Sequence, residues 1–374
     1  MTQYFATVAR GLETIASQEL ENLGAQNVRP AFAGVHFEGD KTLLYRVNLW
    51  ARTIFRVLVP IAEFPCYNAA KLYREVQKIM WDDYIEPHNT FAVDCTGGNE
   101  KLNHTHYTAL QVKNAIADQQ RHQFGTRSNI DTQKPDLLIN IHIEKENGIL
   151  SLDSSGSSLH RRGYRPAMGV APLKETLASA LLEMAEYTPD LPFVDPLCGS
   201  GTLPIEAAFK ALNIAPGFYR EWFGFMSWRD FDQTLWNQLC QDAEKSQLSE
   251  LPSLIIGSDR DPEMIKQAQI NAEQCDIIDQ IQLMQKDFAE IEAPADKGII
   301  ICNPPYGERL GDAQELGEFY KLMGDVFKQR FKGWNAYILT GNKELAKRVG
   351  LRTSRRIPVY NGGLACTLLK YELY

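Results

Sequence analysis

The fold is decided by the stretch GIIICNPPY, which occupies residues 298–306. Its run of apolar, β-prone residues is bounded by turn residues and predicts a buried strand. A loop that leaves the carboxyl end of such a strand lies where open α/β sheets bind their ligands. The two prolines stiffen this loop and leave it with hydrogen-bond acceptors but almost no donors.

This loop suits chemistry on the exocyclic amine of a nucleobase. The side-chain oxygen of Asn303 and the carbonyl of Pro304 can both accept from one planar NH2 group, and Tyr306 offers a flat face for a flipped-out base. Two fixed acceptors favour a pyramidal nitrogen whose lone pair can attack an activated methyl group. A rigid surface turn after a strand could have the same residues, so the surrounding sequence must decide between an amine-binding loop and a structural turn.

The composition is that of an ordinary globular protein. The chain has 374 residues, of which 44% are hydrophobic, and a formal net charge of -8, so it is long enough for two or three domains. No signal peptide is evident, and no stretch approaches the ~20 apolar residues that span a bilayer. The 7 cysteines include no C-x-x-C pair, which argues against disulfides and a metal site and favours a cytoplasmic location. The acidic balance disfavours nucleic-acid binding only mildly, because local basic patches decide that question.

Two small α+β units are predicted before residue 161. Residues 1–65, the first unit, alternate strand-like and helix-like segments in the manner of a split βαβ unit. Residues 66–160, the second unit, include a long helix over residues 105–124. A run of cations around one aromatic follows at the boundary: His160, Arg161, Arg162, Tyr164 and Arg165. Such a cluster suits RNA phosphates plus stacking, although a charged linker would be similar.

Residues 161–374, the third unit, alternate short apolar strands with longer helices, as in a parallel sheet. A strand over residues 192–194 is followed by DPLCGSGT at residues 195–202 and by a helix over residues 203–212. The glycines let the backbone approach a ligand, and the helix N-terminus carries positive dipole. No lysine follows the glycines, so this is not a triphosphate P-loop. Asp195 would suit a cationic ligand such as an amino-acid ammonium.

Acidic residues follow the next two predicted strands. Asp259 ends the strand over residues 254–258 and is placed to bind the two hydroxyls of a ribose. Asp287 follows the strand over residues 282–284 and could accept from an adenine amino group, with Phe288 packing on the ring. Together with Asp195, these residues describe pockets for ammonium, ribose and adenine on successive strand ends.

An aromatic-rich insertion occupies residues 216–251, between the first two strands of the third unit. We expect it to be mainly helical and to pack over the sheet. An aromatic rim near the substrate is a further expectation.

The motifs DPLCGSGT, GSDRDP, KDF and NPPYGERLG, in that order, resemble the AdoMet-dependent methyltransferases that modify exocyclic amines. With HRRGYRPAMGVAPLKETLASALL, ARGLETIASQELENLGA and GVHFEGD, nearly the whole chain is similar to the THUMP-domain family of bacterial 23S rRNA methyltransferases that make N2-methylguanosine. The resemblance implies an α/β, Rossmann-like class I methyltransferase domain over residues 161–374. It places an α+β ferredoxin-like segment over residues 1–65 and a THUMP RNA-binding domain over residues 66–160. It implies S-adenosyl-L-methionine as cofactor and 23S rRNA, or a ribosomal precursor particle, as partner, with no membrane.

The resemblance also assigns residues. The implied cofactor contacts are Pro172, Leu173, Lys174, Asp195, Cys198, Gly199, Ser200, Gly201, Thr202, Asp259, Arg260, Asp287, Phe288 and Asn303. The implied holders of the target amine and base are Asn303, Pro304 and Tyr306. Arg309 of the same motif joins the cluster at residues 160–165 as a substrate RNA contact. Arg260 stands where many relatives place an apolar residue against the adenine.

Three functions are compatible with these residues. The leading one is an RNA guanine-N2 methyltransferase, and the second is an adenine-N6 methyltransferase of DNA or RNA, which needs only a different base pocket. The third is a non-catalytic RNA-binding assembly factor that keeps AdoMet as structure. The motif at residues 303–306 counts against the third, because such a protein has no need of an amine clamp. The RNA-binding character of the N-terminal units counts against DNA.

Overall fold

The chain folds around two β-sheets. The structure is a computed structural model that describes residues 1–165, 173–305 and 313–374. Within these residues, one sheet has 8 strands and belongs to the first two units, and the other has 7 strands and belongs to the third unit. Among the described residues, no helix is both long and apolar enough to cross a bilayer.

The N-terminal sheet is shared by the first two units. Its strands, in chain order, are β1 (Thr2–Val8), β2 (Gln26–Ala31), β3 (Gly34–Gly39), β4 (Ile54–Pro65), β5 (Thr90–Gly98), β6 (Asn129–Ile130), β7 (Leu137–Glu144) and β8 (Asn147–Asp153). They lie side by side in the order β2-β3-β1-β4-β8-β7-β5-β6. The long strand β4 joins the units, because it pairs antiparallel with β1 on one side and with β8 on the other. The predicted boundary after residue 65 falls at the end of β4 and stays a prediction.

Four helices pack on this sheet: α1 (Glu13–Asn22), α2 (Lys41–Trp50), α3 (Ala69–Val76) and α4 (Thr105–Phe124). The predicted helix over residues 105–124 is confirmed to the residue, and it stops at Gly125, whose φ of 73° is left-handed. The side chain of Asp40 caps α2 by accepting from the Leu43 N–H at 2.8 Å. The sequence analysis missed β2, because this edge strand buries none of its residues and therefore lacks an apolar alternation.

The sheet of the third unit is mostly parallel. Its strands are β9 (Phe193–Asp195), β10 (Ile255–Asp259), β11 (Gln282–Gln285), β12 (Ile299–Cys302), β13 (Asn335–Thr340), β14 (Arg355–Asn361) and β15 (Leu364–Glu372). They lie in the order β11-β10-β9-β12-β13-β15-β14, with β14 and β15 as an antiparallel hairpin at one edge. The chain leaves β9 for β10 on one side and later returns to β12 on the other. Such a reversal of strand order is where open α/β sheets bind their ligands.

The helices of the third unit are α5 (Glu175–Met184), α6 (Thr202–Ala211), α7 (Gln233–Lys245), α8 (Pro262–Glu273), α9 (Ala313–Arg330) and α10 (Lys343–Arg348). Helices α5 and α6 are buried on nearly all sides. Leu12 of the first unit belongs to the same core, so the N-terminal region packs directly on the third unit. Asp261 caps α8, since its Oδ1 accepts from the Glu263 N–H at 2.9 Å and Pro262 begins the helix.

The aromatic insertion differs from its prediction. It contains a short 3-10 turn (Gly224–Ser227) and one helix, α7. Its aromatic rings pack on α2 of the first unit, where the Phe225 and Tyr45 rings stack with centroids 4.3 Å apart and Trp236 meets Tyr45 edge-on at 6.1 Å. The predicted mainly helical layer over the third unit's sheet is therefore wrong for most of the insertion, because these rings complete the core of the first unit. Tyr219 is an exception, since its ring stacks on Phe209 of the third unit with centroids 5.9 Å apart.

Candidate active site

The glycine-rich loop between β9 and α6 has two residues in left-handed conformations. Gly199 has φ of 52° and Gly201 has φ of 85°, which L side chains rarely adopt. A Cβ on Gly201 would lie 3.0 Å from the Cβ of Ala268 in α8, so this glycine permits the close packing of two helices. A Cβ on Gly199 would meet no atom within 4 Å among the residues that the structure describes. The loop is therefore closed on its α8 side and open at Gly199.

Asp195 lies at the carboxyl end of β9 and is buried. Its Oδ1 accepts from the Leu197 N–H at 3.1 Å. Burial raises the pKa of the Asp195 carboxyl well above its usual range, and the charge of Asp259 raises it further. A carboxyl with a pKa raised in this way gains by contact with a cation, which restores its charged form. The position and chemistry of Asp195 thus fit an ammonium ligand.

Asp259 ties the glycine loop to the end of β10. Its Oδ2 accepts from the Gly199 N–H at 3.0 Å, and its Oδ1 accepts from the Asp261 N–H at 3.0 Å. The Cys198 N–H also donates to the Ser258 carbonyl of β10, at 2.9 Å. Each carboxylate oxygen of Asp259 keeps a further lone pair, so both can still accept from ribose hydroxyls. Its role in shaping the loop was not foreseen from the sequence.

Asn271 is a site residue that the sequence analysis missed. It is buried in α8, and its Nδ2 donates to the Ser200 carbonyl at 3.0 Å. A polar residue inside an amphipathic helix gives no signal by itself. In the next loop, between β10 and α8, Gln285 Nε2 donates to the Arg260 carbonyl at 3.2 Å. The backbone of the glycine-rich loop is thus held by the side chains of Asp259 and Asn271.

Asp287 and Phe288 follow β11. Asp287 Oδ1 accepts from the Ala289 N–H at 2.8 Å and caps the short turn Phe288–Glu290. The Phe288 ring is buried against Phe319 and Phe327 of α9, with centroids 5.5 Å and 5.6 Å away. The packing of Phe288 on an adenine ring, expected from the sequence, is replaced by packing in the core under α9.

The amine-clamp loop begins directly after β12. The Oδ1 atom of Asn303 is buried and accepts no hydrogen bond from the described residues. Leaving such an acceptor unpaired costs about 1–3 kcal/mol, so a ligand donor at this point would be stabilising. The hydroxyl of Tyr320 in α9 anchors the loop by donating to the Pro305 carbonyl at 3.4 Å. Tyr306 and Arg309 lie outside the described residues.

The cluster at residues 160–165 is mostly an internal network. Arg162 is only 2% exposed, and its Nε lies 3.3 Å from Oε1 of Glu206 in α6, which is 0% exposed. Tyr164 is also buried, and its hydroxyl donates to Glu206 at 3.5 Å. The expectation that Arg162 and Tyr164 contact RNA is therefore wrong, because they balance a carboxylate inside the protein.

Of the three remaining residues of that cluster, Arg165 is internal, His160 is uncharged and Arg161 is exposed. The Arg165 side chain is nearly buried, lies 3.4 Å from the Glu175 carboxylate of α5 and donates to Thr202 Oγ1 at 2.5 Å. Arg165 is thus an internal residue and not the RNA contact that was expected. The pKa of His160 is lowered to about 4 by burial and by nearby cations, so its ring is neutral at neutral pH. Arg161 is the exposed cation of this run.

The predicted segment at residues 172–174 is described only in part. Pro172 lies outside the described residues, and Leu173 is buried beside α5. The Lys174 ammonium lies over the Phe55 ring of the first unit, 5.1 Å from its centroid. Lys174 therefore contacts the N-terminal region, and its predicted contact with the cofactor stays a prediction.

Comparison with known proteins agrees with this architecture. Three family models match successive parts of the chain: an RlmL ferredoxin-like domain over residues 3–58, a THUMP domain over residues 66–153 and an RMKL-like methyltransferase domain over residues 162–370. The chain belongs to the RlmL-like family of THUMP-domain methyltransferases. The predicted fold class, a Rossmann-like methyltransferase domain preceded by α+β ferredoxin-like and THUMP domains, is confirmed.

Individual relatives cover the whole chain. One relative is a protein of Synechocystis sp. that is provisionally named an RNA methyltransferase. It is 58% identical over 99% of this chain and 97% of its own length. The ribosomal RNA large subunit methyltransferase K/L of Syntrophotalea carbinolica is 40% identical over 99% of this chain, which spans 53% of that relative. The chain thus has about half the length of this relative.

Solved structures share the same domain arrangement. A methyltransferase crystallised in complex with SAH is 30% identical, with a TM-score of 0.89 over 100% of this chain and 98% of its own. A Listeria monocytogenes protein described as a predicted N6-adenine-specific DNA methylase is 32% identical, with a TM-score of 0.88 over 100% of this chain and 96% of its own. The description of the first structure names no target base, and that of the second names adenine.

Proposed function

We propose that this protein transfers a methyl group from S-adenosyl-L-methionine to the exocyclic N2 amine of a guanine in 23S rRNA. The observation that carries the proposal is the buried, unpartnered Oδ1 of Asn303 at the carboxyl end of β12, beside the reversal of strand order. The THUMP domain and the K/L relatives support ribosomal RNA as the substrate, either free or in a precursor particle. Such a substrate implies a cytoplasmic location.

The glycine loop and the strand ends around it fit the cofactor. Asp195 binds its ammonium, because a buried carboxyl with a raised pKa is stabilised by a cation. The open space at Gly199 and the N-terminus of α6 accept its methionine part, while Asp259 and Asp287 bind the ribose and the adenine. The other contacts proposed from the family resemblance are Pro172, Leu173, Lys174, Cys198, Ser200, Gly201, Thr202 and Arg260. When bound, the cofactor supplies a methyl group that its sulfonium has already activated.

The loop after β12 orients the target amine. Asn303 Oδ1 and the Pro304 carbonyl accept the two amine hydrogens, which directs the nitrogen lone pair toward the methyl group. Tyr306 stacks on the flipped base, and Arg309 contacts the RNA. The methylated ammonium is acidic and loses its proton without a strong base. Cys302 precedes Asn303, and burial raises the pKa of its thiol well above the usual range, so it stays protonated and does not compete for the methyl group.

One experiment separates the candidate functions. Purified protein is incubated with methyl-labelled S-adenosyl-L-methionine and, separately, with 23S rRNA, 16S rRNA and DNA from cells that lack the enzyme, after which the nucleic acid is digested to nucleosides. We expect labelled N2-methylguanosine from 23S rRNA and none with the Asn303→Ala variant. Labelled N6-methyladenosine would establish the adenine-N6 function instead. The absence of label from both rRNAs and DNA, with cofactor binding intact, would favour a non-catalytic assembly factor.

A further inference from the structure

A cation between two aromatic rings lies on the surface where the first and third units meet. The guanidinium carbon of Arg10 is 5.7 Å from the centroid of Phe32 and 4.9 Å from the centroid of Tyr360. Phe32 lies in the turn between β2 and β3 and is 80% exposed, whereas Tyr360 lies in β14 near the tip of the C-terminal hairpin. The two aromatic residues come from opposite ends of the chain, and Arg10 joins them.

The turn that carries Phe32 is held in place. The Glu13 carboxylate accepts from the Gly11 N–H at 2.8 Å and from the Ala33 N–H at 3.1 Å. The Val8 N–H also donates to the Ala33 carbonyl, at 3.0 Å. These bonds fix the loop of Arg10 against the turn of Phe32. An exposed phenylalanine forgoes the stabilisation of burial, yet this one is presented on a braced turn beside a cation.

The cluster of Arg10, Phe32 and Tyr360 lies on the side of the third unit's sheet where the parallel strands have their carboxyl ends. Strand β15 is antiparallel to β13, and Thr367 pairs with Thr340 at the carboxyl end of β13. Tyr360 pairs with Ala365, two residues farther toward the hairpin tip, and therefore projects beyond that edge. The strand order places two strands between β12 and β14. Three interstrand spacings amount to about 14 Å, so the cluster and Asn303 are separated by roughly 15–20 Å along one edge.

We propose that Phe32, Arg10 and Tyr360 form a stacking site for an unpaired base of the RNA that leads to Asn303. Unpaired RNA bases are bound by stacking on aromatic rings and on arginine planes, which are the groups present here. The Arg10 charge also matches the phosphate next to a stacked base. The separation from Asn303 corresponds to roughly five nucleotides at ~3.4 Å per nucleotide of a stacked strand. The site thus holds substrate outside the base pocket, and it rests on the proposed function only in taking RNA as the ligand.

The test uses the full chain and a fluorescently labelled oligoadenylate, followed by anisotropy. Stacking on one aromatic ring predicts that Phe32→Ala weakens binding roughly 5- to 150-fold. Phe32→Trp should bind within about threefold of wild type, because the indole offers an equal or larger face. Tyr374→Ala is the matched control, since Tyr374 is 91% exposed and follows the end of β15 that lies away from the carboxyl ends of the parallel strands. Arg10→Gln should reduce the log–log salt slope by about 0.7, whereas Phe32→Ala should leave that slope unchanged.

Three outcomes would overturn the stacking site: wild-type protein that does not bind oligoadenylate, Phe32→Ala that binds as wild type does, or Phe32→Trp that is as weak as Phe32→Ala. Oligoadenylate contains no guanine, so an error in the proposed target base would leave these measurements unaffected. Conversely, the wild-type protein could form N2-methylguanosine while the Phe32→Ala variant binds oligoadenylate normally. That result would rule out the stacking site and leave the proposed function intact.

Discussion

The buried ion pair between Arg162 and Glu206 offers a direct test of how the units are joined. Replacing Arg162 with methionine keeps an unbranched apolar stem and removes the guanidinium with its charge. The Arg162 guanidinium donates to the carbonyls of Ala51, Arg52 and Leu159 at 3.3, 2.6 and 2.8 Å, besides its two contacts of 3.3 Å with Glu206. The variant therefore leaves both a carboxylate and three carbonyls without this donor.

The expected cost follows from this geometry. Breaking a buried pair by removal of one partner costs about 3–5 kcal/mol, because the remaining charge is uncompensated. The hydroxyl of Ser179 also donates to Glu206 and offsets part of that charge, which favours the lower half of the range. At about 2–4 °C per kcal/mol for a unit of this size, the melting temperature should fall by roughly 6–16 °C.

Thermal unfolding followed by circular dichroism measures this effect. Arg161→Met is the matched control, since Arg161 is the exposed neighbour and its replacement should change stability by no more than about 0.5 kcal/mol. A second variant, Arg162→Met with Glu206→Gln, should recover part of the loss because it removes the stranded charge. The reasoning would be refuted if Arg162→Met melted like wild type and weakened RNA binding instead, since that is the behaviour of a surface RNA contact.

Three further predictions concern the active site. Asn303→Ala should lower the rate of methyl transfer about 10²–10³-fold and leave the affinity for S-adenosylhomocysteine within a few-fold, as single-turnover assays and calorimetry can measure; near-wild-type turnover would contradict the clamp. Asp259→Ala should weaken S-adenosylhomocysteine binding by at least about tenfold in calorimetry, because it removes ribose acceptors and the bond to the Gly199 N–H; an unchanged affinity would limit Asp259 to a structural role. Because the pKa of Asp195 is raised in the folded protein, its contribution to stability is present below the pKa of an unfolded aspartate and is lost as pH rises through the folded pKa. Asp195→Asn should remove that component from a pH series of melting temperatures, and identical profiles would speak against it.

The third unit was largely predictable from sequence because each strand is a short apolar run followed by a distinct loop. The strands near residues 193, 255, 282 and 299 were all found in this way. The position of Asp195 at the end of β9 could also be anticipated, whereas its contact with an ammonium group stays a prediction. These signals are local, so they can be recognised without any knowledge of tertiary contacts.

Contacts between distant parts of the chain could not be predicted in the same way. Arg162 and Glu206 are 44 residues apart, so an arginine in a charged run gave no sign that its partner lay inside a helix. The aromatic residues of the insertion indicated burial, but the sequence could not say which core would receive them. The polar β2 was invisible for the same reason, because it is defined only by its pairing with β3.

The internal use of arginine explains how an acidic chain can hold RNA in a fixed register. Arg220 donates to the backbone carbonyls of Ser155, Ser157, Ser158 and Arg161, so it braces the connection between the second and third units. Arg162 and Arg165 likewise pair with Glu206 of α6 and Glu175 of α5, so these two cations are not on the surface that phosphates could contact. Arg162 does join the first unit to α6, since it donates to the carbonyls of Ala51 and Arg52 as well as to the Glu206 carboxylate. A rigid junction of this kind keeps Phe32 at a constant distance from Asn303, which a floppy linker could not do. We therefore infer that the buried arginines hold the N-terminal units in a constant position relative to Asn303, whereas exposed cations and aromatic rings contact the RNA itself.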